Sequence, residues 1–163
     1  MSVFSFSSGF LHPLGGLDHL LAMFAVGLLA AQLGGRALWL VPVAFVVMMI
    51  GGAALGSAAI DLPGVEFAIA LSIVVIALPV ALALNMPAVL AILLVGVCAV
   101  FHGHAHGAEL PDDAGMTAYM AGFMVATGLI HVGGIGLALL MKGAPTRAGA
   151  AVVGATGFLF LVA

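Results

Sequence analysis

Residues 9–33 read GFLHPLGGLDHLLAMFAVGLLAAQL, apolar enough to span a bilayer yet carrying His12, Asp18 and His19 in the first half. An Asp at the centre of a membrane helix costs roughly 2.5–3.5 kcal/mol, so ionisable groups at that depth face a bundle interior and mark a site. The stretch therefore reads as a polar site inside a membrane.

The composition agrees. Of 163 residues, 65% are hydrophobic and only 6% charged, and the mean hydropathy is +1.40, outside the range of a soluble globular domain. Apolar segments of about 20 residues recur along the chain, whereas the short alternating segments of a membrane barrel do not. An all-α polytopic membrane protein follows, a single domain over residues 1–163. A net charge of −3 with three basic residues argues against nucleic acid as a partner. The lone Cys98 lies in an apolar run and reads as a small buried side chain.

Six spans are expected, at about residues 10–33, 37–55, 67–84, 88–101, 116–141 and from about 148 to the end. Pro42 falls in a first helical turn, Pro79 in a span where it would bend the far end, and Asn85-Met86-Pro87 makes a tight connection. Arg36, Lys142 and Arg147 all fall in loops that six spans put on one face, which makes that face cytoplasmic and both termini external. Asp61, Glu66, Glu109, Asp112 and Asp113 fall on the other face, where they form a cation-attracting rim. Trp39 and Tyr119 sit near opposite span ends, as interfacial anchors do. Because spans one and four both carry histidines near their outer ends, an inverted three-plus-three repeat is compatible with the pattern.

All six histidines lie within, or at the outer ends of, spans one, four and five. His12 and His19 are seven residues apart, which on a regular helix returns to nearly the same face about 10.5 Å along the axis, too far for both to bind one ion. Either His12 is an outer ligand and His19 belongs to a deeper site, or Pro13, Gly15 and Gly16 break the helix and bring His12 inward. With Pro13 in a first helical position, His12 would stand at the cap. Asp18 and His19 point about 100° apart, so that one can touch an ion while the other orients a partner. Met23 shares the His19 face and is either a soft ligand or ordinary packing.

His102 and His106, four apart, would share one helical face if the helix persists through Gly103 and Gly107; His104 would then point elsewhere. If the helix stops, the run is a flexible outer collector beside Glu109. His131 either joins the site or hydrogen-bonds a neighbouring helix, and it lies next to Gly133-Gly134-x-Gly136. Imidazole and carboxylate donors without thiolates suit Ni²⁺, Co²⁺, Zn²⁺ or Cu²⁺ better than Mg²⁺ or Ca²⁺. Since neutral imidazole is the ligand, metal binding is expected to weaken from about pH 7 to 5.

The run His12-Pro13-Leu14-Gly15-Gly16-Leu17-Asp18-His19, continuing through Met23 to Val26-Gly27, resembles the H-P-x-x-G-x-D-H-x-x-x-M-x-x-V-G signature of the HupE/UreJ family, and Phe101 to Glu109 is similar to its second His-rich motif. The first motif is also similar to the H-x4-D-H signature of the nickel/cobalt transporter family, although five residues separate His12 from Asp18 here. The resemblance implies permeation of nickel, or in some members cobalt, across the bacterial inner membrane, supplying hydrogenase or urease maturation proteins. It implies metal roles for His12, Asp18, His19, Met23, His102, His106, His104 and Glu109, and carries less for His131. Members commonly begin with a cleavable signal peptide, which agrees with an external amino terminus; residues 1–8 themselves lack a signal's positive charge.

The expectation is thus a Ni²⁺ permease, with Co²⁺ or Zn²⁺ as further substrates, no prosthetic cofactor, and no enzymatic activity; a homo-oligomer stays open. Its rivals are a metal-holding accessory protein and an intramembrane metal-dependent hydrolase with Asp18 as base.

Overall fold

The computed structural model describes residues 5–109 and 116–162, all helical where regular. Asp112 and Asp113 of the expected acidic rim lie outside the described residues. The elements are α1 (Phe6–Gly15), α2 (Leu17–Leu33), α3 (Ala37–Ser57), α4 (Val65–Ala81), α5 (Ala88–Ala108), α6 (Met116–Met141) and α7 (Ala144–Val162).

The stretch expected as one span is two helices that meet at 88°. Pro13 lies inside α1 rather than at its start, so His12 is in the last turns and not at a cap. A proline at that position cannot donate to the Gly9 carbonyl, and Gly16 then takes an extended conformation (φ −104°, ψ 111°) that no helix continues through. The amino end of α1 is secured by a reciprocal capping box between Ser5 and Ser8.

Among the described residues, four helices, α3, α5, α6 and α7, are long and apolar enough to cross a membrane, and the bent pair α1–α2 is a fifth where it is counted as one span. Helix α4 is apolar but has only 17 residues, about 25 Å of helix against a hydrocarbon core of about 30 Å. The large outward-facing apolar side chains, among them Trp39, Val97 and Leu140, give the bundle a surface suited to lipid, as befits a membrane protein. Tyr119 is no interfacial anchor: it is buried, 5% exposed, against the ring of His12.

Without a hydrophobic drive inside lipid, helices associate by close van der Waals packing at small residues. Here α3 and α5 run side by side in the same direction, with Gly52 and Gly56 against the carbonyls of Val100 and His104, and Gly103 and Gly107 against those of Met49 and Ala53. Gly27 of α2 and Gly134 of α6 make the equivalent approach, as do Gly9 of α1 and Gly122 of α6. Helix α5 therefore persists through the entire histidine run, since its glycines are packing surfaces and not breaks. Phe45, Met49, Ile73, Ile76, Met23 and Phe123 fill the core between these contacts.

The two ends of the bundle differ in charge. Asp18, Glu66 and Glu109 line a cleft at one end, while Lys142 and Arg147 line a cavity at the other, with Gln32 and Asn85. Gln32 also donates to the carbonyls of Pro79 and Leu84, satisfying the end of α4 where Ala83 turns left-handed (φ 52°).

Candidate metal centre

The 88° break aims the end of α1 and the start of α2 at the histidine face of α5. Seen from α5, the Cβ-less face of Gly103 and Gly107 presses on α3, while His106 meets α1, α2 and α6 and His102 meets α2, α4 and the Phe45 ring of α3. The ring centroids of His19 and His106 are 4.5 Å apart, those of His19 and His102 4.9 Å, and those of His12 and His106 4.8 Å. Four histidines from three helices thus share one contiguous cluster. His106 also touches Phe123 of α6, centroid to centroid 4.3 Å.

Hydrogen-bond chemistry fixes two of the rings. Asp18 Oδ1 accepts from the backbone N–H of His19 at 2.8 Å and from His19 Nδ1 at 3.0 Å. A carboxylate only accepts, so Nδ1 carries the proton and Nε2 keeps a lone pair. The Ser72 hydroxyl donates its single proton to the Ile69 carbonyl at 2.6 Å, so its 2.8 Å contact with His102 Nε2 must be accepted from that ring. His102 Nδ1 is left as the lone pair. His19 Nε2, His102 Nδ1 and both nitrogens of His106 are buried without a hydrogen-bond partner among the described residues, an arrangement that buried polar groups rarely adopt unless something else satisfies them.

Nearer the surface, ligand atoms of His12, His106 and Glu109 all lie within 4.8 Å of one another. These three line an open cleft of 530 Å³ together with Ser8, Asp18, His19 and Glu66. His106 belongs to both groups: its ligand atom meets those of His12 and Glu109, and its ring packs against His19, which in turn packs against His102. Nitrogen donors with one carboxylate match a borderline divalent transition metal.

The HupE/UreJ protein family model matches residues 2–162. The chain belongs to the HupE/UreJ family. Protein HupE of Rhizobium leguminosarum bv. viciae is 51% identical over 147 residues, which cover 90% of this chain and 77% of that protein. No solved structure matches.

Within this HupE/UreJ chain the remaining sequence candidates are placed differently. His104 is turned away: its Nε2 donates to the Ile60 carbonyl at 2.7 Å, tying α5 to the segment after α3. Met23 is fully buried in the apolar core. His131, 1% exposed, is separated from His102 by the Phe45 ring, whose centroid is 5.7 Å from His102 and 5.2 Å from His131. Sequence reasoning missed Ser72, a lone hydroxyl in an apolar helix, and gave Glu66 only a place in the rim. A polar residue amid the apolar run of α4 was the available signal for Ser72; its partner 30 positions away was not.

Proposed function

We propose that this HupE/UreJ chain is a permease that carries Ni²⁺, with Co²⁺ and Zn²⁺ as competing substrates, from outside the bacterial inner membrane into the cytoplasm. The observation that carries the reading is the buried, partnerless lone pairs of His19, His102 and His106 beneath an open His12–His106–Glu109 triad. His12, Glu109 and the acidic rim collect the hydrated ion. His106 then hands it inward, and His19 and His102, held in the correct tautomer by Asp18 and Ser72, replace its water with imidazole. A divalent ion gains about 4.6 kcal/mol from an inside-negative potential of 100 mV, enough to drive entry without an ATPase in the chain.

In this reading the bent pair, α4 and the four long helices make six crossings, with the acidic cleft and both termini outside and Arg36, Lys142 and Arg147 inside, following the positive-inside rule. An inverted three-plus-three arrangement would exchange the α2–α6 pair with the α3–α5 pair, and both are same-direction pairs built on glycine contacts. Helix α5 has no counterpart of the break at Gly16. For the hydrolase alternative, Asp18 Oδ1 is engaged by His19, which leaves Oδ2 as the oxygen that would act as base on bound water; that reading predicts hydrolysis without metal flux. An accessory metal-binding role would use the same cleft and predicts saturable binding without flux.

Uptake of Ni²⁺ into proteoliposomes separates the readings. The parent chain is expected to transport, and His19→Ala and His106→Ala to lose both binding and uptake. Saturable binding by a folded, correctly oriented parent with no flux would leave the accessory role and remove the permease.

A further inference from the structure

Helix α6 carries a buried stripe that continues where the outer cluster ends. Phe123 touches His12 and His106; Thr127 and His131 follow at intervals of four, and Ala138 one further stretch along, each 7% exposed or less. The Thr127 hydroxyl and both ring nitrogens of His131 are buried and have no hydrogen-bond partner among the described residues. His131 thus lies about 12 Å along α6 from Phe123 and about 10.5 Å before Ala138. Ala138, Ala31 and Gln32 line a cavity of 420 Å³ at the basic end of the bundle.

A histidine used only to knit helices together would show a hydrogen bond to a neighbouring helix. Among the described residues His131 shows none, and the Phe45 ring beside it makes a T-shaped contact at 88°. We infer that His131, with the Thr127 hydroxyl, is a second, inner station for the divalent metal ion, reached after the three-histidine site and emptying toward the cavity at the basic end. The inference rests on the permease reading and extends it. One imidazole and one hydroxyl hold an ion more weakly than three imidazoles do. Weak holding suits a transit station, since conduction needs sites that bind well enough to admit an ion and poorly enough to release it. The Phe45 ring offers no donor atom, so it divides the two stations without binding at either.

The test uses full-length protein in proteoliposomes, with His131→Leu, His131→Asn and Thr127→Val beside the parent. Ni²⁺ binding is followed by calorimetry, uptake by a lumenal metal indicator, and folding by thermal denaturation in detergent. The expected result is that His131→Leu and His131→Asn keep the parent's high-affinity Ni²⁺ binding at the outer histidines but take the ion up about tenfold more slowly or worse, with a smaller loss for Thr127→Val. Asn keeps the capacity to hydrogen-bond but ligates poorly, so recovery of the parent rate by His131→Asn alone would make the residue a structural one and overturn the inner station. Parent-like uptake by both His131 variants would overturn it too, as would joint loss of Ni²⁺ binding and stability in both. Absence of uptake by the parent would instead bring down the permease reading, and this inference with it.

Discussion

At the scale of single residues, the proposed metal centre depends on two side chains that need not touch the metal. Asp18 and Ser72 determine which nitrogen of His19 and of His102 is free, because a carboxylate cannot donate and a hydroxyl whose proton is already given to Ile69 can only accept. Outer partners of this kind are typically worth 10–100-fold in metal affinity. Ser72→Ala is accordingly expected to weaken Ni²⁺ binding by about tenfold while leaving the fold intact, since it leaves His102 free to rotate. Calorimetry on the purified variant checks this; unchanged affinity would mean that His102 is not a ligand. Asp18 itself was visible in the sequence as a costly group at membrane depth, and its adjacency to His19 made an orienting role readable. Ser72 was not, because its partner comes from another helix.

At the scale of helices, glycine does opposite things in two places. At Gly16 it releases the chain from helical geometry and, with Pro13, produces the 88° turn. At Gly103 and Gly107 it keeps α5 helical by letting the backbone lie against α3. The sequence offered both outcomes for each stretch, and nothing local distinguishes them: at Gly16 the chain leaves the helix after Pro13, whereas at Gly103 and Gly107 the backbone of α3 packs against the bare face of a continuous helix. Gly103→Val would drive its Cβ into the Met49 carbonyl and is expected to lower stability by about 1–3 kcal/mol. By contrast, Gly133 has open space around it, so Gly133→Ala should be tolerated. Thermal denaturation of the two variants in one detergent compares them directly, and equal melting temperatures would remove the glycine packing from the account of why α5 persists.

At the scale of the whole molecule, the outward surface is apolar along nearly every long helix, and charge is pushed to the ends, acids to one and bases to the other. Val97, midway along α5 and 60% exposed, faces lipid in a membrane-spanning bundle. Val97→Arg should then cost roughly 2.5–3.5 kcal/mol of insertion free energy, read as a reduced fraction of protein in the membrane, whereas the same change in a helix covered by aqueous solvent would be nearly neutral. The sequence alone determined the membrane-protein class, the helical content, the family and the histidines worth testing, because hydropathy over a window and motif spacing are local properties of a chain. Only the tertiary structure decided that residues 9–33 turn rather than run straight, that His12 and His19 meet through His106 and not along one helix, and that His104 and Met23 stand apart. Those outcomes depend on which helix faces lie backbone to backbone, and that is set by close contacts between glycines and carbonyls far apart in the chain.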